Sequence, residues 1–316
     1  MEGEVIKTMV GAIDDMPLSD PTHRAAAFVR TGLKTSALRI VPTGAALGAD
    51  IEGLELSAGL DERAFERIRV AWSQHLVLRF RGQRLDEDGL IAFSRRFGTL
   101  DPAPINTAGT RPHRNPFVLV VSNIVEGGRS IGSLGAYESQ WHADMSYNPH
   151  PPVGSLLYAV EIPPAGGDTG FINLNRAYEA LPVDLKAAIA SRVCTHDSSR
   201  NSAGELRAGY EEVTDPRKAP GAVHPLVRLH PVTGKPLLYL GRRRNAYIHG
   251  LPLAESEALL DSLWAHATTP ENIWYQRWAV GDLVLWDNFA TVHRRDSFDP
   301  NARRLMLRTQ IGIRAA

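Results

Sequence analysis

The chain has 316 residues, with 35 Lys and Arg against 35 Asp and Glu, so its formal charge is zero and no global field is available to hold nucleic acid or an anionic membrane. Hydrophobic residues make up 43% and charged residues 22%, the composition of a folded globular protein, and no apolar run approaches the roughly 18 residues that span a bilayer. The single cysteine, Cys194, excludes an intrachain disulfide and a cysteine-based zinc site; together with the start Met-Glu-Gly-Glu-Val, which lacks the plan of a secretion signal, it points to a reducing cytoplasm.

Residues 1–36 show no sustained period and carry the breakers Asp-Asp-Met-Pro and Ser-Asp-Pro-Thr, so an N-terminal extension is expected before a single domain over 37–316. Asp61 is placed to cap a helix with Ala64, Phe65, Ile68 and Trp72 on its apolar face. A strand is predicted at Val77, Leu78 and Phe80, and a second helix from Asp86 to Phe97, stopped by Gly98. From Phe117 the texture changes to short apolar or alternating runs: Phe117–Ile124, Gly154–Ile162, Gly170–Leu174, Leu226–Leu229, Leu237–Leu240, Leu283–Trp286 and Leu305–Ile313. Two predicted helices interrupt them, Ala177–Val193 and Ala254–Ala267. Short strands separated by Gly, Pro, Asn and Asp predict a mainly β, α+β architecture of the sandwich or barrel kind, and no regular strand–helix alternation supports a doubly wound sheet. The polar stretch Asn201–Gly221 reads as a long loop or lid.

Several motifs fail for want of context. Gly128-Arg-Ser130-Ile-Gly132 matches a hydrolase nucleophile elbow, which would make Ser130 a nucleophile, yet the residues that follow lack a helical stripe and read as a hairpin loop. The Arg242-Arg243-Arg244 run in a neutral chain reads as a solvated turn or an anion clamp.

His142-Ala-Asp144 is the only His-x-acid triplet, and 11 histidines with 35 acidic residues in 316 produce about one by chance, so context must carry it. On a strand, His142 and Asp144 would face one cavity, two thirds of a 2-His-1-carboxylate triad, the ligand set of non-haem Fe(II) oxygenases. His293, after the apolar run ending in Trp286-Asp-Asn288, is the candidate third ligand. Beyond it, alternation puts Arg304, Met306 and Arg308 on one face of the last strand. Two arginines inside an apolar strand must meet carboxylates, either the protein's own or those of a small-molecule anion that a guanidinium fork would clamp.

Trp141-His-Ala-Asp144, Gly166-Gly-Asp-Thr169, His224 to Lys235, Glu255 to Leu260, Trp286-Asp-Asn288 leading to His293, and then Arg304 and Arg308 together resemble the taurine dioxygenase and 2,4-dichlorophenoxyacetate dioxygenase (TauD/TfdA) family of Fe(II)- and 2-oxoglutarate-dependent oxygenases. The resemblance runs from about residue 38 to the C-terminus. It implies a double-stranded β-helix, a jelly-roll variant, with flanking helices. It implies Fe(II) on His142, Asp144 and His293, the distal carboxylate of 2-oxoglutarate on Thr169 and Arg304, and Arg308 on the co-substrate or on the acidic group of the primary substrate. The implied reaction consumes O2 and 2-oxoglutarate, releases succinate and CO2 and hydroxylates a substrate carbon. Collapse of the product breaks a C–S, C–O or C–N bond where that carbon bears a suitable heteroatom.

The chain departs from the taurine pattern. Ala103 stands near the place of a sulfonate-gripping histidine, Glu138 stands in place of an asparagine, and Tyr239-Leu-Gly-Arg-Arg-Arg-Asn245 is more basic than its counterpart. A different organic anion is therefore expected, such as an aryloxyalkanoate, an alkyl sulfate or a carboxylated metabolite, with Arg308, Glu138, Arg242 and Arg244 as its contacts. A homo-oligomer, dimer or tetramer, is expected, with neither nucleic acid nor membrane as partner.

Overall fold

The structure, a computed structural model, describes residues 38–103, 114–136 and 139–312; the extension expected over residues 1–36 lies outside them, as does Glu138. The described chain begins with the antiparallel pair β1 (Arg39–Pro42) and β2 (Ala49–Glu52). Helix α1 (Glu62–His75) starts where the sequence places a cap. The Asp61 carboxylate accepts the Ala64 N–H at 2.7 Å, an exchange worth about 1 kcal/mol, and Ala64, Phe65, Ile68 and Ala71 form its buried stripe. After β3 (Val77–Phe80), Asp86 caps α2 (Glu87–Arg95) through the Gly89 N–H.

The chain then runs through β4 (Leu119–Ser122), the hairpin β5 (Val125–Glu126) and β6 (Arg129–Ser130), β7 (Ser133–Leu134), β8 (Ser139–His142), β9 (Gly154–Glu161) and β10 (Thr169–Asn173). The single helix expected over Ala177–Val193 is instead α3 (Leu174–Ala180), α4 (Val183–Ile189) and the start of β11 (Val193–Asp197). Pro182 is the reason: it forces Leu181 out of the helical region, to ψ 138°, because its ring clashes with a helical predecessor. Cys194 therefore lies in a strand, where it is buried. There follow β12 (Gly221–Pro225), the hairpin β13 (Val227–Leu229) and β14 (Pro236–Leu238), β15 (Tyr247–Ile248), α5 (Leu253–Ala267), β16 (Ile273–Gln276), β17 (Leu283–Asp287), β18 (Thr291–Arg295) and β19 (Leu305–Ile311).

Two sheets dominate. One runs β1-β2-β3-β17-β9-β19-β4-β7, the other β16-β10-β18-β8. Alternation along the strands sorts their side chains into two cores. Leu156, Tyr158, Leu283, Leu285 and Leu307 of the large sheet pack with Phe65, Ile68, Leu90 and Phe93 of α1 and α2. Their neighbours Leu157, Ala159, Val284, Trp286 and Met306 point the other way, into the core shared with Phe171 and Val292 of the small sheet. The result is the expected jelly roll with helices on its outer face. Between the sheets lies a cavity lined by Leu157, Trp286 and Arg308 on one side and by His142, Thr169 and His293 on the other.

Candidate active site

Strands β8 and β18 pair so that His142 stands opposite His293, and β10 sets Phe171 opposite His293 on the other edge. The expectation that Asp144 follows His142 along one strand face needs correction. β8 ends at His142, and Asp144 opens a turn. The Asn288 side chain holds that turn: its Oδ1 accepts the Asp144 N–H at 2.7 Å and its Nδ2 donates to the Asp144 carbonyl at 2.9 Å. Two side-chain bonds thus take over what a strand ladder would have supplied. Ala143 packs behind, fully buried, its N–H donating to the Gly241 carbonyl at 2.9 Å.

The three side chains converge. Asp144 Oδ1 lies 3.8 Å from His142 Nε2 and 3.9 Å from His293 Nε2, and all three residues are buried. His142 Nδ1 is 2.7 Å from the Gln140 carbonyl; it must donate there, which leaves the Nε2 lone pair facing Asp144. Burial, helped by the neighbouring His293, holds His142 well below its ordinary pKa, and burial lowers His293 to about 4. Both imidazoles are therefore neutral near neutrality. For Asp144, burial pushes the pKa up but is outweighed by Arg308, the two histidines and the Ser155 hydroxyl, so the carboxyl sits well below the usual range. Two neutral imidazoles and one carboxylate with convergent lone pairs are the donor set a divalent iron takes.

Around this triad are guanidinium groups. Arg308 Nη1 donates to Asp144 Oδ1 at 2.8 Å, so the arginine from the last strand meets one of the protein's own carboxylates. Arg304 is 2% exposed, and its Nε and Nη1 have no hydrogen-bond partner. Burial, followed by the nearby Arg295, lowers its pKa to about 9. It shares the cavity with Thr169, whose Oγ1 accepts the Trp278 indole N–H at 3.0 Å. Arg295 also lines the cavity, directly opposite Thr169 in the β10–β18 register, and donates to the Leu134 and Gly135 carbonyls at 3.0 Å.

Of the residues expected to touch substrate, Arg242 lies at the site. It lines a second small cavity with His142, and its charge bears on both histidines. Arg244 is exposed at the outer rim of that cavity. Arg243 turns away to Glu257 and Asp261. The stretch 201–220 is irregular apart from a turn of 3-10 helix at Pro216–Lys218. Its Ser202 carbonyl accepts the Gln140 N–H at 2.9 Å, and Ser202 lines both cavities. Farther along, Arg207 stacks on Tyr147 at 4.2 Å and donates to its hydroxyl. Ser130 sits in the β5–β6 hairpin with β7 after it, so the nucleophile-elbow reading is wrong: the turn is strand-to-strand.

Three contributors escape a sequence reading. Ser155 was the one serine inside the apolar run of β9. Arg295 was on the same face as His293, two residues on. Asn288 carried a signal, as a polar residue ending a buried strand, but its partner proves to be the Asp144 turn.

A jelly roll with two neutral histidines and one carboxylate turned into the cavity between its sheets belongs to the class of non-haem metal oxygenases. Residues 39–310 match the family model described as "Taurine catabolism dioxygenase TauD, TfdA family". Pentalenolactone F synthase of Streptomyces avermitilis is 34% identical over 285 residues, covering 83% of this chain and 90% of that protein. The alpha-ketoglutarate-dependent 2,4-dichlorophenoxyacetate dioxygenase of Cupriavidus pinatubonensis is 36% identical over 271 residues, covering 82% and 92%. Among solved structures, AAD-2 in complex with Mn(II) and N-oxalylglycine superposes with a TM-score of 0.70 at 31% identity, covering 87% of this chain and 97% of that one. The chain belongs to the TauD/TfdA family. It is an Fe(II)- and 2-oxoglutarate-dependent dioxygenase that consumes O2. Among the described residues no helix is long and apolar enough to cross a membrane.

Proposed function

We propose that the chain oxidises a small organic anion other than taurine, with Fe(II) on His142 Nε2, Asp144 Oδ1 and His293 Nε2. Bound there, Fe(II) supplies the redox chemistry by which O2 and 2-oxoglutarate give succinate and CO2 while a substrate C–H bond becomes C–OH. The protein's own part is positioning and charge. Thr169 and Arg304 take the distal carboxylate of 2-oxoglutarate. The observation that carries this is Arg304, a fully buried cation whose Nε and Nη1 have no partner, since such a charge is tolerated only where an anion is meant to meet it. Arg308, already on Asp144, directs its remaining donors to the proximal carboxylate or to the substrate.

Arg242 anchors the primary substrate's anionic group beside His142, with Arg244 at the entrance and Glu138 as a further contact. Four arginines, Arg242, Arg295, Arg304 and Arg308, face a centre whose triad carries one carboxylate. Even after a doubly charged co-substrate binds, that surplus favours an acidic substrate. The relative acting on 2,4-dichlorophenoxyacetate supports an aryloxyalkanoate or comparable carboxylate over an alkyl sulfate or sulfonate; where the hydroxylated carbon bears the ether oxygen, the C–O bond then breaks. The segment 201–221 acts as the lid, tied down by Arg207 on Tyr147. The catalytic domain spans 37–316 behind an N-terminal extension, and the protein works in the cytoplasm as a homo-oligomer.

The test is succinate release across a panel of aryloxyacids, alkyl sulfates, sulfonates and amino-acid derivatives, with matched Arg242→Met protein. An organic acid is expected to give turnover that Arg242→Met loses through a raised KM. Turnover of taurine at the rate of the best acid would defeat the reading.

A further inference from the structure

Asp144 is restrained at every polar atom it has. Asn288 takes its backbone N–H and carbonyl, Arg308 donates to Oδ1, and the Ser155 hydroxyl donates to Oδ2 at 2.9 Å. The two carboxylate oxygens are not equivalent. Oδ1 is the atom 3.8 and 3.9 Å from the two imidazole Nε2 atoms, whereas Oδ2 is turned toward β9 and held there.

We propose that Ser155 is a positioning residue that keeps Asp144 a one-oxygen ligand of the metal. The inference rests on the Fe(II) reading of the triad. An octahedral Fe(II) has six positions. His142, Asp144 and His293 would fill three, a chelating 2-oxoglutarate would fill two, and one would remain for O2. A carboxylate free to rotate about its Cβ–Cγ bond would bring its second oxygen onto the cation and occupy the position O2 needs. The Ser155 hydroxyl opposes that rotation by holding Oδ2 in a hydrogen bond to an ionised acceptor, the stronger kind.

The placement of Ser155 argues for this role. It is fully buried, one residue after Gly154 in a strand that continues Leu-Leu-Tyr-Ala, and a buried hydroxyl is unfavourable unless it is bonded. Its hydroxyl donates to Asp144 Oδ2 at 2.9 Å. Backbone pairing with Trp286 on β17 and Gln310 on β19 fixes the strand on both sides, so the hydroxyl is delivered from a rigid element. Asn288 fixes where the Asp144 backbone lies; Ser155 fixes which way its carboxylate is rotated.

The test uses Mn(II)-loaded full-length protein without 2-oxoglutarate, counting the water molecules bound to the metal by electron paramagnetic resonance in isotopically labelled water. Wild type is expected to carry three waters and Ser155→Ala two, with 2-oxoglutarate turnover falling on the order of tenfold or more in the variant, in line with other residues that orient metal ligands. Ser155→Ala removes one oxygen atom, and its metal-free melting curve confirms folding; Ser155→Thr, which keeps the hydroxyl, is expected to restore the third water. Three waters in both wild type and Ser155→Ala would overturn the role of Ser155 alone. A wild-type protein that takes up no Mn(II) would overturn the metal centre and the role of Ser155 with it.

Discussion

Arg304 shows how a single residue trades stability for function. A buried guanidinium without a carboxylate is a standing cost in the ligand-free protein, and its pKa, lowered to about 9, registers the same strain. Arg304→Met is expected to stabilise the ligand-free protein by about 1–3 kcal/mol, because an apolar side chain of similar length suits that site better. The same change should raise the KM for 2-oxoglutarate on the order of a hundredfold, the loss of a charge-assisted bond to a carboxylate. Thermal melts and succinate kinetics on one variant check both signs; a destabilised variant with unchanged KM would refute the assignment. His293 gives the pH dependence. Its pKa falls from 6.5 to about 4 in the folded metal-free chain, so the unfolded chain binds the extra proton and stability drops as pH falls from about 6.5 toward 4, by about 3 kcal/mol in full from this residue. His142 moves the same way. Melting temperatures of wild type and His293→Gln across that range should converge as pH falls.

At the scale of elements, the segment after β14 carries a strict requirement. Gly241 has φ 52°, and a Cβ there would lie 2.0 Å from the buried His196 ring. Its carbonyl receives the Ala143 N–H, between the two ligands of the His-x-Asp turn. Gly241→Ala is expected to destabilise the protein by about 3 kcal/mol or more, from backbone strain and a forced shift of His196 together. It should weaken metal binding too, which calorimetry with Mn(II) would detect; a variant with wild-type melting and affinity would contradict this account. The elements also show what the sequence disclosed. Asp61 announced the first helix because a cap is a local interaction between neighbours in the chain, and Asp86, expected as the second helix's first residue, proves to be its cap. The 177–193 region departs from the single helix expected there because Pro182, a local breaker, ends the first helix at Leu181. The placement of Asp144 in a turn could not be read locally, since Asn288, 144 residues away, holds it there.

For the whole molecule, the zero net charge conceals an arrangement. Arg295, Arg304 and Arg308, from the last two strands and the turn between them, line the cavity between the two sheets, and Arg242 lines a second one that shares His142. Two of them, Arg304 and Arg308, were legible from strand alternation, while Arg295 emerged only when β18 paired with β10 and set it opposite Thr169. A mainly β sandwich or barrel was legible from short strands with frequent breakers, and the jelly roll itself from the resemblance carried by the His-x-Asp, histidine and arginine motifs. Which face of each strand met which sheet was not, because β17, β9 and β19 are neighbours only across long crossovers. Ligands that bind the folded state alone stabilise it: Mn(II) and 2-oxoglutarate, each at about a hundred times its dissociation constant, should add about 2.7 kcal/mol apiece and about 5 kcal/mol together, a rise in melting temperature on the order of 10 °C for a domain of this size. The 2-oxoglutarate share of that rise should vanish in Arg304→Met.

The most direct test of the central claim is succinate formation from 2-oxoglutarate in air, with an organic acid substrate, comparing wild type with His293→Ala. Succinate that appears one for one with hydroxylated or cleaved acid, requires added Fe(II), and disappears in His293→Ala is the predicted result. Turnover of the acid that continues in His293→Ala, or that proceeds without consuming 2-oxoglutarate, would contradict it.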